Sequence, residues 1–223
     1  MIKSHLKNET IIRMTDFERR GLMLILSSPS GAGKTSIVNT LLKTEQKLKT
    51  SISVTTRPKR PSEIDGIDYY FVSVDEFEHR LKNNEFLEHA EVFGNLYGTP
   101  NQFVSDTLEN GEDVVFDIDW QGTQQISQTA RDDLVTIFIL PPSLDELENR
   151  LRGRNQDTAE VVARRMSEAT YELSHWPEYN YVMVNHMLEE SVSNVRAILT
   201  TERLRRKRQI GLANFVNHLR GIK

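Results

Sequence analysis

Short apolar runs alternate along the chain with segments in which apolar residues recur at helical spacing. The runs at Leu22–Leu26, Val114–Ile118, Val135–Leu140 and Tyr181–Val184 have the length and continuity of strands covered on both faces of a parallel sheet. Helical segments lie between them, and Ser143 opens one as a capping box. This alternation predicts an α/β fold with a three-layer core and a mainly parallel sheet.

Two segments interrupt this rhythm. Residues 51–99 contain short β-like pieces at 51–55, 69–72 and 88–93, a short helix after Ser73, and turn signals at Asp65-Gly66 and Gly94-Asn95. Residues 150–175 are helical in pattern and rich in Arg. We therefore divide the chain into an extension (1–20), a core (21–50, 100–149 and 176–223) and two inserts. The extension is expected to be weakly ordered, and Met14 is an alternative start.

Composition narrows the class of protein. The chain has 223 residues with a formal net charge of −4, which argues against a general nucleic-acid coat. It lacks cysteine, and its six His residues show no ligand spacing, so disulfides, thiolate metal sites and thiol nucleophiles are excluded. Neither a signal-peptide core nor a bilayer-spanning apolar run is found near the start. We expect a cytoplasmic protein that does not bind a membrane.

The segment after the first apolar run has the composition of a phosphate-binding loop. Gly31 and Gly33 let backbone amides face phosphate oxygens. Lys34 can bind the phosphate that is transferred, and the Thr35 hydroxyl can coordinate Mg²⁺. Ser28 stands where the formal pattern has its first Gly. An ordinary glycine-containing loop is the alternative. The predicted ATP-binding residues are Ser28, Pro29, Ser30, Gly31, Ala32, Gly33, Lys34, Thr35 and Ser36.

An acidic residue supports a nucleotide site. Asp117 follows the apolar residues Val114–Phe116, near the carboxyl end of a predicted strand, where a carboxylate can hold Mg²⁺ or its water shell. Acids at strand ends also occur for structural reasons. Together with the phosphate loop, Asp117 and Thr35 are the predicted Mg²⁺ ligands.

The first insert carries a candidate site for a second phosphate. Arg57 and Arg60 lie three residues apart in a proline-stiffened loop, and Tyr69 and Tyr97 follow. Guanidinium forks and phenol hydroxyls bind phosphomonoesters. Solvated surface charge is the alternative interpretation of the two arginines.

From about Leu22 to about Arg208 the sequence strongly resembles the guanylate kinases, P-loop nucleoside monophosphate kinases. The motifs are Thr-Thr-Arg-Pro-x-Arg at 55–60, Gly-Asn-x-Tyr-Gly-Thr at 94–99, Asp-Ile-Asp-x-Gln-Gly at 117–122 and Arg-Leu-x-Gly-Arg at 150–154. The resemblance implies a P-loop core with a small mixed β insert (51–99) for GMP and a helical lid (150–175). It implies transfer of the γ-phosphoryl group of ATP to GMP or dGMP, in purine nucleotide metabolism and GMP recycling.

By this resemblance, the insert holds GMP. Arg57, Arg60, Tyr69 and Tyr97 would bind its phosphate, and Glu63 would position their loop. Ser53, Glu88 and Thr99 would face the base, because a carboxylate accepts from both donors on the guanine edge and a hydroxyl donates to its carbonyl. The predicted GMP-binding residues are Ser53, Arg57, Arg60, Glu63, Tyr69, Glu88, Tyr97, Thr99 and Asp117.

The same resemblance maps Arg150, Arg154 and Arg165 onto a lid that closes over ATP. Asn155 departs from the Gly usual after Arg154, and His186 stands where relatives carry an acid. Phosphoryl transfer needs positioning and cationic screening more than a strong base, because the GMP phosphate is already largely dianionic. The predicted catalytic residues are Lys34, Arg57, Arg150, Arg154 and Arg165, with Mg²⁺ as cofactor.

Three other functions fit parts of the sequence. A guanylate-kinase-like module that docks phosphopeptides would need neither the phosphate loop nor the lid arginines. A kinase for a sugar phosphate would not need the residues assigned to the base. A nucleic-acid module is suggested by Arg203, Arg205, Arg206, Lys207 and Arg208, but cations are also favoured near a helix end. We expect a monomer or small homo-oligomer without nucleic acid.

Overall fold

The computed structural model describes residues 18–92, 94–152 and 159–222, with the backbone alone at 159 and 160. Its architecture is mixed α/β, with one parallel and one mixed sheet. Arg154, Asn155 and the extension up to residue 17 lie outside the described residues. None of the described helices combines the length and the apolar character that crossing a membrane requires.

The larger sheet forms the core. Its strands are β1 (Met23–Ser27), β2 (Leu48–Thr50), β7 (Asp113–Phe116), β8 (Leu134–Leu140) and β9 (Tyr181–Val184). They are parallel and lie in the order β2-β7-β1-β8-β9. The middle strand, β1, is buried along its whole length. The carboxyl ends of β1 and β7 therefore adjoin at one edge of the sheet, where the phosphate loop and Asp117 begin.

Helices cover both faces of this sheet. One layer contains α1 (Lys34–Thr44) and α7 (Leu188–Arg203), and the other contains α3 (Asn101–Glu109) and α4 (Trp120–Thr129). Successive side chains of a strand point to opposite faces. Accordingly, Leu24 packs in the first layer, whereas Met23 and Ile25 pack in the second.

The first insert forms the smaller sheet. Its strands are β3 (Val54–Thr55), β4 (Tyr70–Phe71), β5 (Phe86–Val92) and β6 (Asn95–Pro100), in the order β4-β3-β6-β5. The β3–β4 pair is parallel and the other pairs are antiparallel. Helix α2 (Val74–Lys82) packs against this sheet through Phe77, whose ring stacks on Phe86 with the centroids 4.5 Å apart.

The second insert contains α5 (Leu144–Arg152) and α6 (Ala159–Leu173). They share a small apolar cluster in which Leu147, Leu151, Val162 and Ala169 are buried. A 3-10 helix at Trp176–Glu178 leads back into β9, and the chain ends with a second 3-10 helix (Arg206–Arg208) and α8 (Leu212–Leu219).

The structure confirms the strand predictions in the core to within one or two residues. It also confirms that helices start after Ser73 and Ser143, because each of these hydroxyls accepts a 3.1 Å hydrogen bond from the amide three residues on. Strands β2 and β6 were not predicted. The β6 sequence contains Gly and Pro, and its strand conformation depends on pairing with distant β3 and neighbouring β5.

Residues 18–20 are fixed, although we expected them within a weakly ordered extension. Arg19 pairs with the buried carboxylate of Asp113 at 2.7 Å, and Arg20 pairs with Asp133 at 2.7 Å. The backbone amide of Arg20 also donates to the Arg208 carbonyl at 2.8 Å. Three residues are thereby tied to both the core sheet and the C-terminal segment.

Candidate functional site

The phosphate loop joins the end of β1 to the start of α1. Gly31 and Gly33 have φ angles of 93° and 100°, which ordinary side chains rarely adopt. The loop encloses a cavity of about 280 Å³. Eight of the nine predicted ATP-binding residues line this cavity, and the ninth, Ala32, is fully buried. The side chain of Ser28 turns to its neighbour and donates to the Pro29 carbonyl at 3.1 Å.

A buried amide side chain fixes the loop from behind. Asn185 follows β9, and its Nδ2 donates to the Ala32 carbonyl at 2.8 Å while its Oδ1 accepts from the Ser191 hydroxyl at 2.8 Å. A Cβ atom at Gly33 would collide with the same Nδ2. Asn185 therefore requires glycine at position 33 as much as the φ angle does. The neighbouring His186 is exposed.

Asp117 lies beside the phosphate loop, one residue after β7. Its Oδ1 is 2.5 Å from the Lys34 Nζ, and both residues line the phosphate cavity. Thr35 lines the same cavity. A hydroxyl and a half-exposed carboxylate are oxygen donors of the kind that Mg²⁺ takes alongside substrate phosphates, so these residues fit the ion. Among the described residues, no group of three His, Cys, Asp or Glu is placed to hold a metal without such phosphates.

A second cavity of about 810 Å³ opens beside the first, between the smaller sheet and the core. We call it the acceptor cleft. Six of the predicted GMP-binding residues line it: Ser53, Arg60, Tyr69, Glu88, Tyr97 and Asp117. Lys34 and Asp117 belong to the walls of both cavities. The structure thus brings residues from distant segments together at one junction between two cavities.

Glu88 is the buried acid of the acceptor cleft. It is only 5% exposed and accepts a 2.6 Å hydrogen bond from the hydroxyl of Thr99, which is fully buried. Burial raises the pKa of Glu88 to about 7, and the hydrogen bond from Thr99 opposes part of this rise. Our expectation that Thr99 faces the base needs correction, because its hydroxyl is directed to Glu88 instead.

Arg57 and Arg60 have different surroundings. Arg57 makes a bidentate pair with Glu63, at 2.7 and 3.1 Å, and lies over the Tyr69 ring, 5.4 Å from its centroid. This pairing raises the pKa of Arg57 and lowers the pKa of Glu63. The Arg60 amide donates to Glu63 at 2.8 Å, whereas its guanidinium is exposed at the cleft. Glu63 therefore holds both arginines of the loop.

Neither of the two lid arginines that the structure describes, Arg150 and Arg165, lines either cavity. Arg150 lies on α5 and its Nε donates to Glu146 at 2.9 Å. Arg165 lies on α6, and Arg154 lies outside the described residues.

Sequence reasoning missed two acidic residues in the cavity walls. Glu172 of α6 lines both cavities, and its carboxylate accepts a 3.3 Å hydrogen bond from the Ser30 amide in the phosphate loop. Asp119 caps α4 by accepting from the Gly122 amide at 3.1 Å and also lines the cleft. The sequence could have identified Asp119, because this residue lies in the 117–122 motif. No such signal marked Glu172, because 142 residues separate it from Ser30.

The basic C-terminal cluster is largely occupied by internal pairs. Arg203 binds Glu45 and Asp113, Arg205 binds Glu202, and Lys207 binds Asp132. Arg208 is only 1% exposed and lies against Glu202 and Asp133. Pairing with carboxylates, rather than the helix dipole alone, therefore explains why most of these cations occur in this segment.

Comparisons with known proteins agree with this geometry. The family model described as "Guanylate kinase" matches residues 20–202. A guanylate kinase of Paramagnetospirillum magneticum is 58% identical over 203 residues, covering 91% of this chain and 95% of the relative. One of Rhodospirillum rubrum is 58% identical, with 91% and 93% covered. The crystal structure of a guanylate kinase from Anaplasma phagocytophilum superposes with a TM-score of 0.77 at 38% identity, covering 93% and 99% of the two chains.

Proposed function

The chain belongs to the guanylate kinase family, whose members transfer the γ-phosphoryl group of ATP to GMP, and we propose how its own residues carry out this transfer. The observation that carries the proposal is the junction at which Lys34 and Asp117 line both cavities. A phosphate from each side can meet there, in front of one ammonium group. ATP occupies the phosphate cavity, and GMP or dGMP occupies the acceptor cleft.

The phosphate loop binds the ATP phosphates. Its backbone amides and the start of α1 supply partial positive charge, and Lys34 supplies a full one. The Lys34 ammonium already pairs with Asp117 at 2.5 Å, so it is held at the junction before the nucleotide arrives. Lys34 can then bridge to the phosphate that is transferred.

The acceptor cleft selects guanine. The Glu88 carboxylate accepts from the ring N–H and the exocyclic amino group, while Ser53 lines the same cleft and can donate to the guanine carbonyl. Thr99 orients Glu88 rather than touching the base. Adenine would leave these buried polar groups unpaired, which is the kind of mismatch that costs about 10⁴-fold or more in specificity.

The GMP phosphate binds at the other end of the cleft, to Arg60, Tyr69 and Tyr97. Glu63 orders the loop that carries Arg57 and Arg60, because it binds the Arg57 guanidinium and the Arg60 amide together. Arg57 adds positive charge beside Tyr69. These contacts aim an oxygen of the GMP phosphate at the junction.

Catalysis then depends on screening negative charge, because no strong base is required. Lys34 lies at the junction, Arg57 lies over the ring of Tyr69 in the wall of the cleft, and movement of the lid (150–175) would add Arg150, Arg154 and Arg165. Lid closure would also exclude water as a competing acceptor. Thr35 and Asp117 would hold Mg²⁺, which supplies further charge neutralisation when it is bound.

This arrangement assigns a different function to each segment of the chain. We assign residues 21–50, 100–149 and 176–223 to the ATP-binding core, 51–99 to the GMP-binding insert and 150–175 to the lid, with 1–20 as an extension. ATP and GMP are small cytoplasmic molecules, so we keep the prediction of a cytoplasmic enzyme that acts as a monomer or small homo-oligomer.

A coupled assay of ADP release tests the proposal. With ATP and Mg²⁺ present, we expect turnover with GMP and dGMP and little with AMP, UMP or CMP. Equal rates with AMP would contradict the assignment of Glu88 to the guanine edge. Absence of ATP-dependent turnover with GMP would contradict the proposed function as a whole.

A further inference from the structure

Glu172 places a negative charge where the ATP site needs a positive one. It is the last residue but one of α6, and its Oε2 accepts from the Ser30 amide of the phosphate loop at 3.3 Å. Ser30 and Glu172 line the same phosphate cavity. The carboxylate therefore occupies a donor that a phosphate oxygen can use, while its charge repels that oxygen.

The same helix is joined to the phosphate loop by apolar contacts. A Cβ atom at Gly31 would lie 3.1 Å from methyl groups of Leu147 and Leu151, and these leucines pack with Val162 and Ala169 of α6. Ala169 is one helical turn before Glu172. Any ligand that displaces Glu172 from the loop therefore acts on the helix pair that carries Arg150 and Arg165.

The C-terminal side of α6 is anchored to the core by aromatic rings. His175 stacks on Trp120 with centroids 4.0 Å apart, and Tyr171 meets Trp120 edge-on at 5.9 Å. Tyr171 and His175 flank Glu172 in the chain, so this aromatic contact holds the end of α6 that carries Glu172.

We propose that Glu172 is a positioning residue that fastens α6 to the phosphate loop and is displaced by a phosphate oxygen when ATP binds. The carboxylate mimics the anion that the loop is built to hold. This inference rests on the proposed ATP site. Burial raises the pKa of Glu172, which agrees with a charge that the resting site solvates incompletely.

Binding of a non-hydrolysable ATP analogue tests the inference. Calorimetric titration in the presence of Mg²⁺ and without GMP is expected to show 3- to 10-fold tighter binding for Glu172→Gln, because a competing charge has been removed. The control is Glu148→Gln, which removes the same charge from the exposed surface of α5 and is expected to leave the affinity unchanged. Unchanged or weaker binding by Glu172→Gln would overturn the inference.

Hydrogen exchange of residues 159–173 gives a second readout. In the wild type, exchange of this segment is expected to change when the analogue is added. Without nucleotide, the Glu172→Gln variant is expected to show already the exchange pattern that the wild type shows with the analogue. Glu172→Asp keeps the charge but shortens the side chain by one methylene, so it should also release the helix from the phosphate loop. It replaces Glu172→Gln in this experiment if the Gln variant does not fold.

The two proposals fail in different ways. If the wild type does not bind the ATP analogue, the proposed ATP site is wrong. If the wild type binds it, and the Glu172 variants exchange and bind as the wild type does, only the role of Glu172 is wrong. A purely structural role would lower the melting temperature without tightening nucleotide binding.

Discussion

The hydroxyl of Thr99 donates a 2.6 Å hydrogen bond to the carboxylate of Glu88, and both residues are buried. Burial holds the pKa of Glu88 near 7, well above that of an exposed glutamate. The carboxylate must be ionised to accept both donors of guanine. GMP recognition is therefore tied to a titration in the neutral range.

We expect kcat/KM for GMP to rise with pH through about 7, because the ionised fraction of Glu88 rises there. Glu88→Gln should lower kcat/KM by about 10²-fold at high pH, the cost of two weakened charge-assisted hydrogen bonds. The pH–rate profile of that variant should lose the step near 7 and keep the step of the GMP phosphate near 6. A step near 7 that persists would assign the titration to another group.

Gly122 is required by its closeness to Glu88. A Cβ atom there would lie 2.7 Å from Glu88 Oε2 and 3.1 Å from Cδ, so Gly122→Ala must displace the carboxylate. We expect KM for GMP to increase about 10-fold, with KM for ATP unchanged. Gln128→Ala, at an exposed position of the same helix, is the control. Equal effects on both substrates would indicate a general disturbance of α4.

Arg150 and Arg152 form a matched pair on α5. Each donates to a glutamate four residues earlier, but only Arg150 is assigned to the lid cations. Arg150→Ala should lower turnover by about 10³-fold, with a milder effect on GMP affinity, because it removes positive charge from the transition state. Arg152→Ala should retain turnover. Steady-state kinetics of both variants decide whether α5 reaches the junction.

Asn185 stabilises the phosphate loop from within the core. Asn185→Ala leaves the Ala32 carbonyl and the Ser191 hydroxyl without their present partners, which should cost about 2 kcal/mol of unfolding free energy. For a chain of this size the melting temperature should fall by about 4–8 °C in scanning calorimetry. Ser191→Ala removes one of the two bonds and should cost less. A loss in the Ser191 variant equal to that of Asn185→Ala would place the stabilisation elsewhere.

Asp113 is the buried centre of a charge cluster. It is fully buried and pairs with Arg19 and Arg203, and it also accepts from the Leu22 amide at 3.0 Å. Asp113→Ala should cost about 3–5 kcal/mol, because two guanidiniums lose their buried counter-charge. Asp132→Ala, at a fully exposed partner of Lys207, should leave the melting temperature unchanged. Chemical unfolding of both variants measures the difference.

The sequence determined the parts of this protein that are contiguous along the chain. Apolar strands followed by helical periodicity predicted the parallel core, and nine consecutive residues, Ser28–Ser36, specified the phosphate loop. The signals for these features are local, because an apolar run, a pair of loop glycines and a capping residue each lie within a few neighbouring residues. The motifs at 55–60, 94–99 and 117–122 carried the resemblance to guanylate kinases, which the family comparison confirms.

Tertiary structure alone decided which side chains meet. It turned Thr99 away from the cleft and towards Glu88, placed Asn185 against Ala32, and brought Glu172 to Ser30. It also formed β6, whose Gly and Pro gave no strand pattern, by pairing it with β3 and β5. The direction of a polar side chain depends on the donor or acceptor that packing places beside it, and partners more than 100 residues away leave no periodic signal in the sequence.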